Sequence, residues 1–145
     1  MVAAEATVTR KGGQKPVDDT FWKGRLRKAR AFHSAAQTLS TLADGADAAD
    51  PIVSEILLAA IAYADALTAK SDGTVNQKDH QAIGQALRAA LGNRLPAAQM
   101  KRLMDIVREK NAAEYSARVG DLKPARRLLE QLGTFATWAE EELAR

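Results

Sequence analysis

The segment ILLAAIAYADAL, residues 56–67, constrains the fold more than any other stretch of the chain. Ala, Leu and Ile dominate it, and an Ala- and Leu-rich run favours helix. Apolar residues occupy nearly every angular position around that helix, where a surface helix would show a single stripe. Such a helix has to be covered on all sides. The remaining sequence supplies the cover, because apolar residues recur at helical spacing along most of the 145 residues. Aromatic residues make up only 5% of the chain, which further argues against an all-β fold.

Helix start and stop signals divide the pattern into about five helices. The first covers about residues 19–43, with Trp22, Leu26, Ala29, Phe32, Ala36 and Leu39 on one face. The linker DGADAAD ends in Asp50-Pro51, an N-cap followed by proline at the first helical position, and opens a second helix over about 51–70. SDGTVN is a turn, with Asn76 placed to cap a third helix and Asp79 near its positive end. His80, Ile83, Gly84, Leu87 and Leu91 form that helix's stripe, and Gly92-Asn93 ends it. Pro96 opens a fourth helix over about 96–117, and Gly120-Asp121 marks the next break. The fifth, about 122–143, carries Ala125, Leu128, Leu129, Leu132, Phe135, Ala136, Ala139 and Leu143. Short connections predict antiparallel neighbours. The expectation is therefore an all-α fold, a single up-and-down bundle over residues 18–145 behind a flexible tail over residues 1–17.

Composition excludes several classes of function. The cysteine count is 0, so disulfides and thiolate metal sites are ruled out and a reducing cytoplasm is the natural setting. The opening MVAAEATVTRKGG has no apolar run of signal-peptide length, and ILLAAIAYADAL is about half the length of a membrane span, so a soluble protein is expected. The glycines are scattered outside any phosphate loop, and neither a Gly-x-Ser-x-Gly nor a His-Glu-x-x-His motif occurs. Two histidines 47 positions apart would need carboxylates from several helices to hold a metal. No metal and no cofactor are expected.

Charge is uneven despite a net value of only +3. Lys23, Arg25, Arg27, Lys28 and Arg30 fall within residues 20–33 with no acid among them, whereas residues 44–70 are acidic apart from Lys70. Lys23, Arg27, Lys28 and Arg30 are candidates for nucleic-acid contact, and the alternative is a solvated or self-paired face. His33 lies on the edge of the first helix's stripe, which suits a packed, hydrogen-bonded histidine. Arg27 and His33 could instead serve as phosphate-holding cation and acid/base, but six positions place them about 120° apart. They could act together only through a bend or across subunits. His80, at the centre of an apolar face, reads as structural. Trp138 sits about 120° off its helix's stripe, at a groove edge or a subunit contact.

The stretch VREKNAAEYSARVG, residues 107–120, breaks the pattern. The apolar face of Met100, Leu103, Met104 and Val107 continues onto Asn111, Glu114 and Arg118, with Tyr115 beside them. Glu114 and Arg118 also have the acid-first spacing of a helical ion pair. Burial without partners would cost several kcal/mol, so these groups pair, reach water or line a cleft. The segment is either a solvated helix end or a polar patch at a cleft or dimer seam, and the patch of Lys110, Asn111, Glu114, Tyr115 and Arg118 is the expectation taken forward.

Within this stretch, REKNAAEY resembles the segment of small HEPN-domain proteins in which a basic residue is followed five positions later by Tyr with an acid just before it, here Lys110, Glu114 and Tyr115. FWKGRLRKARAFHSAAQTL is similar to that family's opening helix, ILLAAIAYADALTAK to its central helix, VNQKDHQAIGQAL to its third-helix entry and ARRLLEQLGTFATWAEEEL to its last helix. The likeness covers about residues 20–143 in matching order. It implies a helical bundle that is usually a homodimer. Family members include metal-independent ribonucleases, toxin halves paired with nucleotidyltransferases, and proteins with no catalytic activity. The active ones carry Arg followed four to six residues later by His near the dimer interface, whereas here Tyr115 follows Lys110, and Arg27 and His33 lie on the first helix. Tyr and Lys are poor proton shuttles near neutrality. The resemblance thus implies a cytoplasmic, non-catalytic binding module for nucleotide, RNA or a nucleotidyltransferase-type partner. The alternatives are a metal-independent ribonuclease using Arg27, His33 or Tyr115 across a homodimer, and a basic helical nucleic-acid binder.

Overall fold

Helix α1 spans Phe21–Leu42, and α2 spans Ala49–Asp72 after a short 3-10 turn at Ala46–Ala48. They lie antiparallel, with Arg25 near the start of α1 bonded to Asp65 late in α2. The computed structural model describes residues 14–76 and 82–145. Within these residues α3 is Ile83–Leu91, α4 Ala97–Val107, α5 Lys110–Glu114 and α6 Leu122–Leu143. The chain is an all-α helical bundle, as its periodicity predicts. Helix α6 runs antiparallel to α1 and in the same sense as α2: Arg126 reaches Ser40 at the far end of α1, while Glu140 meets Tyr63 and Leu143 meets Lys70.

Helix α2 is the hub. It packs against α1, α3, α4, α5 and α6, and fifteen of its residues are buried, including Ile52, Ile56, Leu57 and Leu67. The core continues through Leu26 and Ala29 of α1, Leu87 of α3, Leu103 and Ile106 of α4, and Leu132 and Phe135 of α6. Trp138 fills a groove edge, partly buried with its ring 5.6 Å from that of Phe135. On apolarity alone the expectation needs correcting: the unbroken helical segment Ala46–Asp72 is long and apolar enough to cross a membrane, because its flanking turns extend the apolar run. In this fold 78% of its most apolar window is covered by the other helices.

Local chemistry departs from expectation at three places. Helix α2 begins at Ala49, so Pro51 sits inside the first turn, where its missing N–H costs nothing, and Asp50 caps nothing; its carboxylate instead accepts from Gly120 N–H at 3.3 Å. The sequence SDGTVN ends α2 at Gly73, whose φ of 70° is left-handed and whose N–H bonds the Ala69 carbonyl. Thr74–Asn76 then form a strand, β2, antiparallel to β1, Gln14–Pro16. Of the tail expected over residues 1–17, the last stretch is therefore a paired strand, and residues 1–13 lie outside the described residues. Asn76, expected to cap the third helix, lies in β2 instead, and the placement of Asp79 near that helix's start and the packing of His80 fall outside the described residues.

Candidate binding pocket beneath a broken helix

The fourth helix ends at Val107 rather than about residue 117. Leu103, Ile106 and Val107 are fully buried, and about three more straight turns would drive Asn111, Glu114 and Arg118 along the same face. The chain avoids that cost by turning. Arg108 N–H still bonds the Met104 carbonyl four residues back, but Glu109 N–H bonds Ile106, three back, and the axis is redirected before α5 begins. Arg108 also pairs with Asp105 and reaches the Met104 carbonyl, holding the turn.

Redirection gives α5 two distinct faces. Outward lie Lys110, Asn111, Glu114 and Tyr115. The Lys110 ammonium sits 3.2 Å from Glu114 and 3.3 Å from the Tyr115 hydroxyl, with its charge 4.9 Å from the ring centre. Those contacts, the Tyr115 hydroxyl first and Glu114 second, raise the lysine pKa and keep it charged. Tyr115 is 71% exposed, and Asn111 and Glu114 are exposed as well. The polar stripe is a solvated helix end, and the buried-network form of the expectation is replaced by local pairing at the surface.

Inward, Glu109, Ala112, Ala113 and Ser116 line a pocket of about 450 Å³. Its floor is apolar, formed by Ala49 and Val53 of α2 and Ala125 and Leu128 of α6. The loop Arg118–Asp121 forms one wall, and Val119, 54% exposed, stands at the rim. Gly120 closes this loop onto α2: its N–H donates to the Asp50 carboxylate, and a Cβ there would lie 2.8 Å from Asp50 Oδ1 and push that side chain aside. Arg118 and Arg127 both border the pocket without an ion pair among the described residues, as do Glu109 and Asp121. Arg118 alone belongs both to the expected patch and to the pocket.

The basic cluster of α1 is divided by the fold. Arg25 turns inward to Asp65 at 3.0 Å, and Arg30 makes a two-pronged bond to Glu140 at 2.6 and 2.8 Å. Lys23 lies 5.8 Å from the Trp22 ring centre. Arg27 and Lys28 are exposed without an ion pair among the described residues. Arg27 and His33 stay apart: His33 faces a groove against α6, half-buried, with no hydrogen bond to its ring among the described residues. Burial lowers the His33 pKa, opposed by the nearby Glu140 charge. The Arg30–Glu140–Tyr63 cluster, with Tyr63 OH donating to Glu140 at 3.2 Å, joins residues 110 positions apart, and helical periodicity carries no signal for it.

Compared with known proteins, the chain matches no family model, no curated protein and no solved structure. The pocket's own geometry therefore has to carry its functional reading.

Proposed function

We propose that this chain is a HEPN-like helical binding module of the cytoplasm, homodimeric and without efficient catalysis, whose pocket beneath α5 takes a nucleotide. The supporting observation is the pocket itself: about 450 Å³, an apolar floor, and two guanidinium groups, Arg118 and Arg127, without an ion pair among the described residues. That volume lies within the range of about 300–1,000 Å³ common to small-molecule sites. The guanidinium groups suit phosphate oxygens, and Glu109 or Asp121 suits ribose hydroxyls. The exposed Lys110–Glu114–Tyr115 face is free to meet a second copy or a nucleotidyltransferase-type partner.

A ribonuclease reading has less support. Arg27 and His33 diverge within one chain, and the Tyr115 hydroxyl and Glu114 raise the Lys110 pKa, further from proton transfer at neutral pH. Calorimetric titration with AMP and ATP tests the proposal. The Arg118→Ala, Arg127→Ala double variant is expected to weaken binding at least about tenfold, in line with loss of charge-assisted bonds. RNA oligonucleotides incubated in chelator are expected to stay intact. Absence of nucleotide binding removes the ligand assignment, and cleavage abolished by His33→Ala or Tyr115→Phe in a folded protein restores the enzyme.

A further inference from the structure

The outward face of α1 is built unlike a solvated helix surface. Gly24, Ala31, Ala35 and Leu42 fall within about 40° of one another at 100° per residue, opposite the buried Leu26, Ala29 and Ala36. Ala35 is partly exposed and the other three are exposed. Leu42, 75% exposed, is the most exposed large apolar side chain among the described residues. Between Arg30 and Asp44 the chain carries no Lys, Arg, Asp or Glu, the residues that normally fill the outer face of a surface helix. Gly24 adds a second anomaly. Glycine weakens a helix, and a Cβ at Gly24 meets nothing within 4 Å, so packing within the chain does not call for it.

This ridge is symmetric about its own middle. Gly24 and Leu42 lie about five helical turns apart, roughly 27 Å, and point the same way from the axis. Turned end for end about a point between Ala31 and Ala35, the helix brings Leu42 level with Gly24 and Ala35 level with Ala31. The charges follow the same reversal. Lys23 and Arg27 are exposed near the start of the helix, and Asp44 and Asp47 are exposed just beyond its end, none with an ion pair among the described residues. Asp18 and Asp19 precede the helix, and Asp18 is taken up by Thr20. Reversal sets Asp44 about one residue's rise, roughly 1.5 Å, from the level of Lys23.

We propose that α1 is the seam of a two-fold dimer, packed antiparallel against α1 of a second copy of this chain. Leu42 of each copy covers Gly24 of the other, Ala31 meets Ala35, and Lys23 lies beside Asp44. Small side chains along the contact let the two axes approach closely. Such a contact is isologous, so every pairing occurs twice. A parallel pairing would set Lys23 and Arg27 against their own copies, and the charges therefore select the antiparallel one. The seam rests on the homodimer reading above and puts the second copy on α1, leaving the Lys110–Glu114–Tyr115 face for a different partner.

The chain contains no cysteine, so cross-linking reads the register directly. Gly24→Cys and Leu42→Cys proteins, mixed under mild oxidation, are expected to form a disulfide-linked dimer. Each alone is expected to form none, because like positions would lie about 27 Å apart. Sedimentation of the full chain over a concentration series is expected to show a dimer that Leu42→Asp weakens at least about tenfold, since two apolar contacts are lost per dimer. Lys23→Glu and Asp44→Lys are each expected to weaken it about three- to tenfold, and the double variant to restore it. A dimer that gives no mixed cross-link and ignores Leu42→Asp overturns the α1 seam and leaves the homodimer reading standing. Equal cross-linking in the unmixed proteins also overturns the seam, and a monomer at every concentration overturns both.

Discussion

Helix α2 and the stretch after Val107 both place polar side chains where an apolar face should run, and they resolve the conflict in opposite ways. Helix α2 cannot turn away, because neighbouring helices bury every residue of it from Ala59 to Ala69. Its polar groups are matched across helices instead: Asp65 by Arg25, and the Tyr63 hydroxyl by Glu140. The stretch after Val107 lies at the edge of the bundle and has a cheaper course. It breaks the helix, exposes Asn111, Glu114 and Tyr115, and leaves a pocket underneath. Polar residues inside an apolar pattern thus signal pairing at the centre of a bundle and a change of direction at its margin.

The sharpest way to test that contrast is to remove bulk from the hub. Leu67→Ala in α2, where the side chain is 1% exposed, is expected to cost about 2–5 kcal/mol in denaturant unfolding, since the surrounding helices cannot close the cavity. A loss below 1 kcal/mol would mean that α2 is far less constrained than its burial implies.

A smaller effect separates the buried pair from the surface one. Burial pushes the Asp65 carboxyl up to about 6 from an ordinary 3.8, against the pull of Arg25. Between those values the folded state binds a proton more readily than the unfolded chain, so this site stabilises most at acid pH and its contribution falls as pH rises from about 4 to about 6. The change is roughly 1–3 kcal/mol. Glu140 acts in the opposite sense and lower on the scale: Arg30 lowers its pKa, so its contribution is lost as pH falls below the ordinary 4.5. Unfolding measured at pH 4, 5, 6 and 7 is expected to show a downward slope that Asp65→Asn flattens. An unchanged slope in that variant would assign the dependence to other groups.

The smallest effects belong to the margin. Asn111→Leu is expected to change stability by no more than about 0.5 kcal/mol, because no buried partner is stranded. Tyr115→Phe is expected to leave the unfolding curve superimposable. A loss of 1–3 kcal/mol in either variant would reveal partners that the solvated end does not have in the isolated chain, as a dimer seam would provide.

Most of the helical plan was legible in the sequence, because burial at 3.6-residue spacing is a local signal. The last helix, expected over 122–143, is Leu122–Leu143, and the first, expected over 19–43, is Phe21–Leu42. The fourth helix ran on too far in that reading because periodicity extends an axis as a straight line and carries no information about when bending costs less than burial. The strand pair was invisible for another reason: three-residue strands set no pattern, and Gln14 finds Asn76 across 62 positions. The site was half legible. The composition of VREKNAAEYSARVG marked the segment, but its pocket-lining residues, Glu109, Ala112, Ala113 and Ser116, are the opposite face of α5 from the conspicuous ones. Gly120 alone could have pointed there, as a glycine next to an acid in a tight connection.

The position of α2 at the hub also bears on how the domain comes apart. Helices α1 and α6 each bury their apolar faces mainly by meeting α2, as do the shorter α3 and α5, while α4 is shared between α2 and α6. No half of the chain keeps a core once α2 is lost, so among the described residues local fraying belongs to the margin, near α5 and the loop that follows it, and anything deeper is a single all-or-none event. Among the described residues a protease would accordingly find its easiest cleavage beside the pocket, while backbone amides at the middle of α2 would exchange with solvent only when the whole domain opens.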